Sequence, residues 1–172
     1  MMMTINSKRG LSVALFMTAA VALGACAKKP KEAVNGSLSG TGVNNSSVAT
    51  PGSPQDFVVN VGDRVLFTTD SSSVNADGRL ILDRQAQWLN QYGQYTFTIE
   101  GHADERGTRE YNLALGARRA TAVKRYLVSR GVSSGRMKTL SFGKERPVAV
   151  CNDISCWSQN RRAVTVLNGA GS

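Results

Sequence analysis

A carboxylate and a guanidinium stand close together in this sequence and could jointly hold a zwitterion. Asp104 lies in the Gly-containing segment 100–108, between a predicted strand and a predicted helix on which Asn112 and Arg119 follow. In α/β folds, ligands often bind at the carboxyl ends of strands, and the free N–H groups of a helix N-terminus favour anions. The segment therefore predicts a pocket with a negative group on one side and a positive group on the other.

The helical period predicts where these side chains point. At about 100° per residue, Asn112 and Arg119 point within about 20° of each other, whereas Arg118 is turned by about 100° toward solvent. Both Asn112 and Arg119 flank a predicted core face that consists of Leu113, Gly116, Ala117, Ala120, Val123 and Leu127. We expect Arg119 to be partly buried. The alternative is a purely structural role, in which the Arg119 side chain extends over the sheet edge and pairs with a nearby acidic residue.

Catalysis finds little support in the sequence. His102 is the only histidine, so a nucleophilic triad would have to use it. No serine stands in a Gly-x-Ser-x-Gly turn. His102 and Asp104 could be two ligands of a metal site, yet no third or fourth ligand is apparent. We therefore expect a protein that is not an enzyme, with no metal and no cofactor.

The N-terminus is typical of an exported lipoprotein. Lys8 and Arg9 precede an uncharged, mostly apolar run that is shorter than a membrane span. The run ends in Leu23-Gly24-Ala25-Cys26, which resembles the bacterial lipobox, so residues 1–25 are predicted to be removed and Cys26 lipidated. The alternative is an ordinary signal peptide with a chance cysteine. Ala27 carries no acidic signal of the kind associated with inner-membrane retention.

Cys151 and Cys156 remain after Cys26 is assigned to lipid. Disulfides persist in exported proteins, so we expect these two to be bonded to each other. Free thiols, or a metal site that also uses His102, are the alternatives. Zinc would need a fourth ligand, which the sequence does not offer.

Composition divides the chain of 172 residues. Residues 26–55 are rich in Gly, Ser, Asn and Pro and lack aromatics, which predicts a flexible tether. Residues 56–168 are predicted to form one folded domain, followed by a tail at 169–172. The net charge of +9 falls to +7 once Lys8 and Arg9 are removed. The basic pairs Arg161-Arg162 and Lys124-Arg125 are expected to be solvated, and we predict no nucleic-acid partner.

Apolar periodicity supplies the elements that position the pocket. It predicts strands at 64–67, 95–99, 137–142 and 162–167, and helices at 75–91 and 110–130. This β-α-β-α-β-β order predicts a layered α/β sandwich, with helices on one or both faces of a mixed sheet. The connection 143–161 is predicted to be a loop. The apolar stripe of the first helix is Leu80, Leu82, Ala86, Trp88 and Leu89.

Four separated blocks carry a family resemblance: residues 101–108, 111–116, 118–120 and 160–164. With the lipobox and the tether, they resemble the peptidoglycan-associated lipoproteins of Gram-negative bacteria, members of the OmpA-like C-terminal domain family. The resemblance covers residues 64–167. It implies an α+β sandwich in which a mixed sheet packs against two main helices.

The resemblance also implies a function. Members of the family bind the peptidoglycan stem peptide noncovalently at meso-diaminopimelate, and the family's key residues fall on Asp104, Asn112 and Arg119. Thr108 and Leu115 lie in the same blocks and are further expected contacts. Asp104 would accept from the ligand ammonium, and Arg119 would hold the carboxylate in a fork that lysine cannot copy.

The implied setting is the cell envelope. The lipid would sit in the inner leaflet of the outer membrane, the domain in the periplasm, and the protein TolB would be a partner in envelope constriction at cell division. Two departures stand out: Thr68 and Thr69 replace an acidic residue common in relatives, and the cysteine loop is not general. Neither is expected to touch the Asp104–Arg119 pair, although both could alter the loops around it. Binding of another polyanion, or cell-wall hydrolysis, are the alternative functions.

Overall fold

A computed structural model of the chain describes residues 49–169. The predicted signal peptide, Cys26, most of the predicted tether and residues 170–172 lie outside the described residues. No helix within the described part is both long enough and apolar enough to cross a membrane.

Four helices and four strands make up the described chain. A short helix α1 (Pro54–Asp56) runs into a π-helical turn (Phe57–Gly62), and a 3₁₀ turn (Ser134–Arg136) precedes the third strand. The strands are β1 (Arg64–Leu66), β2 (Phe97–His102), β3 (Met137–Gly143) and β4 (Arg162–Leu167). The remaining helices are α2 (Ala76–Gln91), α3 (Arg109–Ser129) and α4 (Ile154–Asn160).

The strands form one mixed sheet in the order β1-β4-β2-β3. β4 lies antiparallel between β1 and β2, while β2 and β3 are parallel and connected by α3. This arrangement confirms the predicted mixed α/β fold. It also brings the end of β2, the start of α3 and the start of β4 to one edge of the domain.

The two long helices cover one face of the sheet. Val65, Phe97 and Ile99 point into a core shared with α2 and α3, whereas Leu66 and Leu140 are exposed on the opposite face. Backbone contact brings α3 against β2: a Cβ on Gly101 would collide with the backbone of Gly116. Close packing at this point sets Arg119, one turn further along α3, against the end of β2.

The apolar stripes of the helices are narrower than predicted. On α3, the core is filled by Gly116, Ala120, Val123 and Leu127, while Leu113 and Ala117 lie at the edge of this stripe and are exposed. Leu80 on α2 is also exposed. It stands about 200° from Leu82 around the helix, so the two cannot share one buried face.

The folded domain begins earlier than residue 56. Tyr95 donates its hydroxyl proton to the carbonyl of Gly52 at 2.8 Å, and the indole of Trp88 donates to Asp56 at 2.8 Å. Ser53 caps α1, and Ala49 is buried. The last residues of the predicted tether are therefore packed, because aromatic side chains from the α2 region supply partners that composition alone does not reveal.

The connection between β3 and β4 is not entirely a loop. It contains α4, which Asp153 caps by accepting from the backbone N–H of Ser155. A helix of seven residues is too short to show a clear apolar period, so Asp153 as an N-cap was the only local sign in the sequence that a helix begins here. The predicted disulfide is confirmed: Cys151 and Cys156 are bonded across the start of this helix.

Candidate functional site

The site is built around the loop that leaves β2 and enters α3. Thr108 caps α3 by accepting from the backbone N–H of Tyr111, and Gly107 takes a positive φ of 85°. Asn112 donates from Nδ2 to the carbonyl of Arg106 at 2.7 Å. These contacts hold the loop in a tight turn, which places Asp104 at the end of the sheet.

Asp104 is 7% exposed and surrounded by cationic donors. Its Oδ1 accepts from the backbone N–H of Arg106 at 3.2 Å and from Nε of the same residue at 3.1 Å. Its Oδ2 accepts from Nη2 of Arg106 at 2.7 Å and from Nη1 of Arg161 at 3.3 Å. Burial raises the pKa of Asp104, but these hydrogen bonds outweigh burial and leave the pKa below its ordinary value. Asp104 is therefore ionised at neutral pH.

Arg119 is buried more deeply than predicted, with 0% of its surface exposed. It donates from Nε to the carbonyl of Ser71 at 2.8 Å, from Nη1 to that of His102 at 2.8 Å, and from Nη2 to that of Thr68 at 3.2 Å. Burial, followed by the charge of Arg161, lowers its pKa to about 10, so it stays charged at neutral pH. Arg119 thus ties the segment after β1 to the end of β2.

The helix phase is confirmed, and one other expectation is wrong. Arg118 is exposed while Asn112 and Arg119 are buried, as the helical period predicts. Thr68, expected to be independent of the pocket pair, instead accepts a hydrogen bond from Arg119 through its carbonyl oxygen. Because this contact uses the backbone, the side chain at position 68 gives no sign of it.

Like Arg106, Arg161 is a site residue that sequence reasoning missed. It is buried rather than solvated, and it donates from Nε to the carbonyl of Phe67 at 3.0 Å as well as to Asp104. Arg162, expected to be solvated with it, is buried too. Residues 160–164 form one of the blocks that carry the family resemblance, which could have pointed to Arg161. Only the fold, however, brings the start of β4 beside Asp104.

A groove opens beside Asp104. Its volume is about 560 Å³, and it is lined by Thr69, Asp70, Arg106, Gly107, Thr108 and Tyr111. Thr108 is therefore the one expected contact that lines this groove. The other expected contacts, Asp104, Asn112, Leu115 and Arg119, are buried and do not line it.

The cysteine-bonded segment contacts the same loop. The guanidinium of Arg106 stacks on the ring of Trp157, with its Cζ atom 4.2 Å from the ring centroid. The indole N–H of Trp157 donates to Oε1 of Glu105 at 3.0 Å. Lys144 donates from Nζ to the carbonyl of Gly107 at 2.8 Å. This contact agrees with the expectation that the Cys151–Cys156 segment could alter a loop around the pocket, because Trp157 holds Arg106 beside Asp104.

His102 does not line the groove. It is buried, it stacks on Phe142, and burial followed by the charges of Arg162 and Arg146 lowers its pKa to about 4. Its Nε2 atom is 3.6 Å from a carboxylate oxygen of Glu100, and both ring nitrogens lack a hydrogen-bond partner within the described residues.

Comparison with known proteins places this geometry in a family. The model of the OmpA family matches residues 66–161, which include the end of β1, the Asp104 loop, α3 and Arg161. The chain belongs to the OmpA family. Its relatives include the peptidoglycan-associated lipoprotein of Mesorhizobium japonicum, which is 64% identical over 93% of this chain and 94% of that protein. The protein of the same name from Pseudomonas aeruginosa is 43% identical over 90% of this chain and 95% of that protein.

Two solved structures have a similar fold. The crystal structure of the peptidoglycan-associated lipoprotein from Burkholderia pseudomallei matches with a TM-score of 0.64 and 42% identity, covering 67% of this chain and 100% of that chain. The C-terminal domain of Helicobacter pylori MotB matches with a TM-score of 0.59 and 22% identity, covering 63% of this chain and 86% of that chain. At that identity the MotB match supports the fold alone.

Proposed function

We propose that this chain is a lipid-anchored outer-membrane protein that binds peptidoglycan noncovalently and thereby links the membrane to the cell wall. The observation that carries the proposal is the placement of Asp104 and buried Arg119 together at the end of β2, where the negative charge of Asp104 acts to raise the pKa of Arg119. Relatives that match over nine-tenths of both chains are named peptidoglycan-associated lipoproteins. The lipobox at Cys26 supports the anchor.

The proposed ligand group is meso-diaminopimelate, whose side chain ends in an ammonium and a carboxylate. Asp104 is ionised and is the acceptor for the ammonium. Arg119 has five N–H donors, of which three are used by backbone carbonyls. The two that remain, one on each Nη atom, can form a fork to the carboxylate.

Access to Arg119 requires a movement. Its guanidinium lies under residues 68–71, since it binds the carbonyls of Thr68 and Ser71 and is fully buried. We expect the ligand carboxylate to reach it only when this segment shifts away from α3. The segment also contributes Thr69 and Asp70 to the groove, so the same shift would open the groove wall.

The remaining parts of the proposal follow from the family and the N-terminus. The lipid on Cys26 sits in the inner leaflet of the outer membrane, and the tether lets the domain reach the wall in the periplasm. TolB is the proposed protein partner, within the Tol-Pal system that acts in envelope constriction at cell division. The proposed action is binding and not catalysis: His102, the only histidine of the sequence, is buried, and its ring nitrogens have no hydrogen-bond partner within the described residues.

Co-sedimentation with intact peptidoglycan sacculi tests the proposal. We expect Asp104→Asn to weaken binding by about tenfold or more, because loss of one charge-assisted contact costs at least about 1.4 kcal/mol. Arg119→Lys should also weaken binding, since lysine has no planar fork. Arg118→Ala is the matched control on the solvent side of the same helix and should bind nearly normally. Wild-type binding by folded Asp104→Asn, or a steep loss of wild-type binding with salt, would contradict the proposal.

A further inference from the structure

The carboxylate of Asp104 has no free acceptor position. An ionised carboxylate offers about four lone-pair sites, two on each oxygen. Oδ1 accepts twice from Arg106, and Oδ2 accepts once from Arg106 and once from Arg161. A ligand ammonium that binds Asp104 must therefore replace a donor that is already there.

Only one of these donors is free to leave. The backbone N–H of Arg106 is fixed by the turn between β2 and α3. The Arg161 side chain is 8% exposed and also binds the carbonyl of Phe67. The Arg106 side chain is 41% exposed and lines the groove. Its guanidinium is thus the donor that an incoming group can exchange with.

We propose that Arg106 is an internal competitor that sets the affinity and selectivity of this site: its guanidinium occupies on Asp104 the position that a ligand ammonium takes, and binding exchanges one for the other. The inference rests on the proposed function, since it needs Asp104 to be the ammonium acceptor. The two cations compete there, because each donates charge-assisted hydrogen bonds to the same oxygens.

The surroundings provide a place for the displaced side chain. Trp157 already stacks on the guanidinium of Arg106, and its indole is held by Glu105. The carboxylates of Asp70 and Glu105 both raise the pKa of Arg106 through their charge, although less than Asp104 does. Arg106 can therefore give up Asp104 while it keeps an aromatic face and two nearby negative charges. The exchange then costs one ion pair rather than every contact of the side chain.

Selectivity follows from the same exchange. A ligand with an ammonium replaces the hydrogen bonds that Arg106 gives up, so Asp104 stays paired. A ligand whose amine is blocked cannot replace these hydrogen bonds. Either Arg106 stays bound to Asp104 and the ligand does not bind there, or the nearly buried carboxylate loses its partner, which is costly. The site therefore favours wall fragments whose diaminopimelate amine is free over fragments in which it is blocked.

Calorimetric titration of the lipidated full chain in detergent tests the exchange. The probes are a disaccharide tripeptide that ends in meso-diaminopimelate and the same molecule with its side-chain amine acetylated. We expect Arg106→Gln to bind the free-amine probe about threefold to fivefold more tightly than wild type, the upper part of the range expected for loss of one partly exposed ion pair. The acetylated probe should gain less than about twofold. Arg106→Lys keeps the charge but not the paired geometry and should show an intermediate gain.

Arg109→Gln is the matched control. It removes the same charge three residues further along the chain, from a guanidinium that pairs with Glu145 outside the groove. Its affinity should stay within about twofold of wild type. Equal or weaker binding by Arg106→Gln overturns the inference, as does a gain that Arg109→Gln reproduces or that Arg106→Lys lacks altogether.

The failure of the inference can be distinguished from failure of the proposed function. If Asp104→Asn binds the free-amine probe as wild type does, then the site itself is wrong. If Asp104→Asn loses binding while Arg106→Gln gains nothing, the site stands and the exchange is refuted. Unfolding midpoints of all variants show whether each remains folded.

Discussion

Replacement of Arg119 by methionine should destabilise the whole domain, beyond any effect on ligand binding. The guanidinium is fully buried and donates to the carbonyls of Thr68, Ser71 and His102. Methionine follows the aliphatic part of the arginine side chain but lacks the guanidinium group, so it leaves all three carbonyls without this donor. The variant therefore measures the loss of these hydrogen bonds together with the lost packing of the guanidinium group.

The size of the effect can be worked from these contacts. A hydrogen bond to a charged group contributes about 1.5–3 kcal/mol, and a stranded buried acceptor costs about 1–3 kcal/mol. Three such bonds in one group are not additive, and burial already disfavours the charge, as the lowered pKa of Arg119 indicates. We expect the free energy of unfolding to fall by about 3 kcal/mol. That is a large share of the roughly 5–15 kcal/mol typical of a domain.

Urea unfolding of the oxidised protein measures this change. With a denaturant slope of about 1–3 kcal/mol per molar, the midpoint should fall by about 1–3 M. Arg118→Met is the control, because it makes the same substitution on the exposed side of the helix. If Arg119→Met unfolds within about 0.5 kcal/mol of Arg118→Met, the three carbonyl contacts do not stabilise the fold and the assignment of Arg119 as a central support is refuted.

The disulfide, the buried histidine and the N-terminal cysteine each give one further prediction. Reduction of Cys151–Cys156 should lower the free energy of unfolding by about 2 kcal/mol, because the closed loop is short; an unchanged urea midpoint in reductant would contradict this. The pKa of His102 falls from 6.5 to about 4 on folding, so stability should be full above pH 6.5 and decline as the pH falls toward 4, by about 3 kcal/mol at most. His102→Asn should lose this slope, and a wild-type slope in that variant would show that another group titrates. Cys26→Ser should yield a soluble protein that still binds sacculi, since about two acyl chains are needed for stable anchoring; retention of the variant in isolated membranes would refute the lipid anchor.

Local periodicity explains which parts of the site could be predicted. The direction of Arg118 and Arg119 depends only on the helical repeat. The alternation of apolar residues predicted the strands, and their order predicted a mixed sheet. These features are set within a few residues of chain, so a single sequence contains them.

Contacts between distant segments explain what was missed. Arg161 meets Asp104 across 57 positions of sequence, and Arg119 meets Thr68 across 51. In the second contact the acceptor is a backbone carbonyl, which every residue type carries, so no side-chain pattern records it. Trp157 reaches Arg106 only because α4 folds back over the loop. Such pairings become visible only when the sheet order brings β1, β2 and β4 to one edge.

The most direct measurement of the central claim compares two stem peptides. One carries meso-diaminopimelate, and the other carries lysine at the same position, so that they differ only by the terminal carboxylate of that side chain. Titration of the wild-type chain should give an affinity about tenfold or more higher for the diaminopimelate peptide, because lysine offers Asp104 an ammonium but leaves Arg119 without its partner. Equal affinities for the two peptides would contradict the proposed recognition of an ammonium and a carboxylate by one Asp–Arg pair.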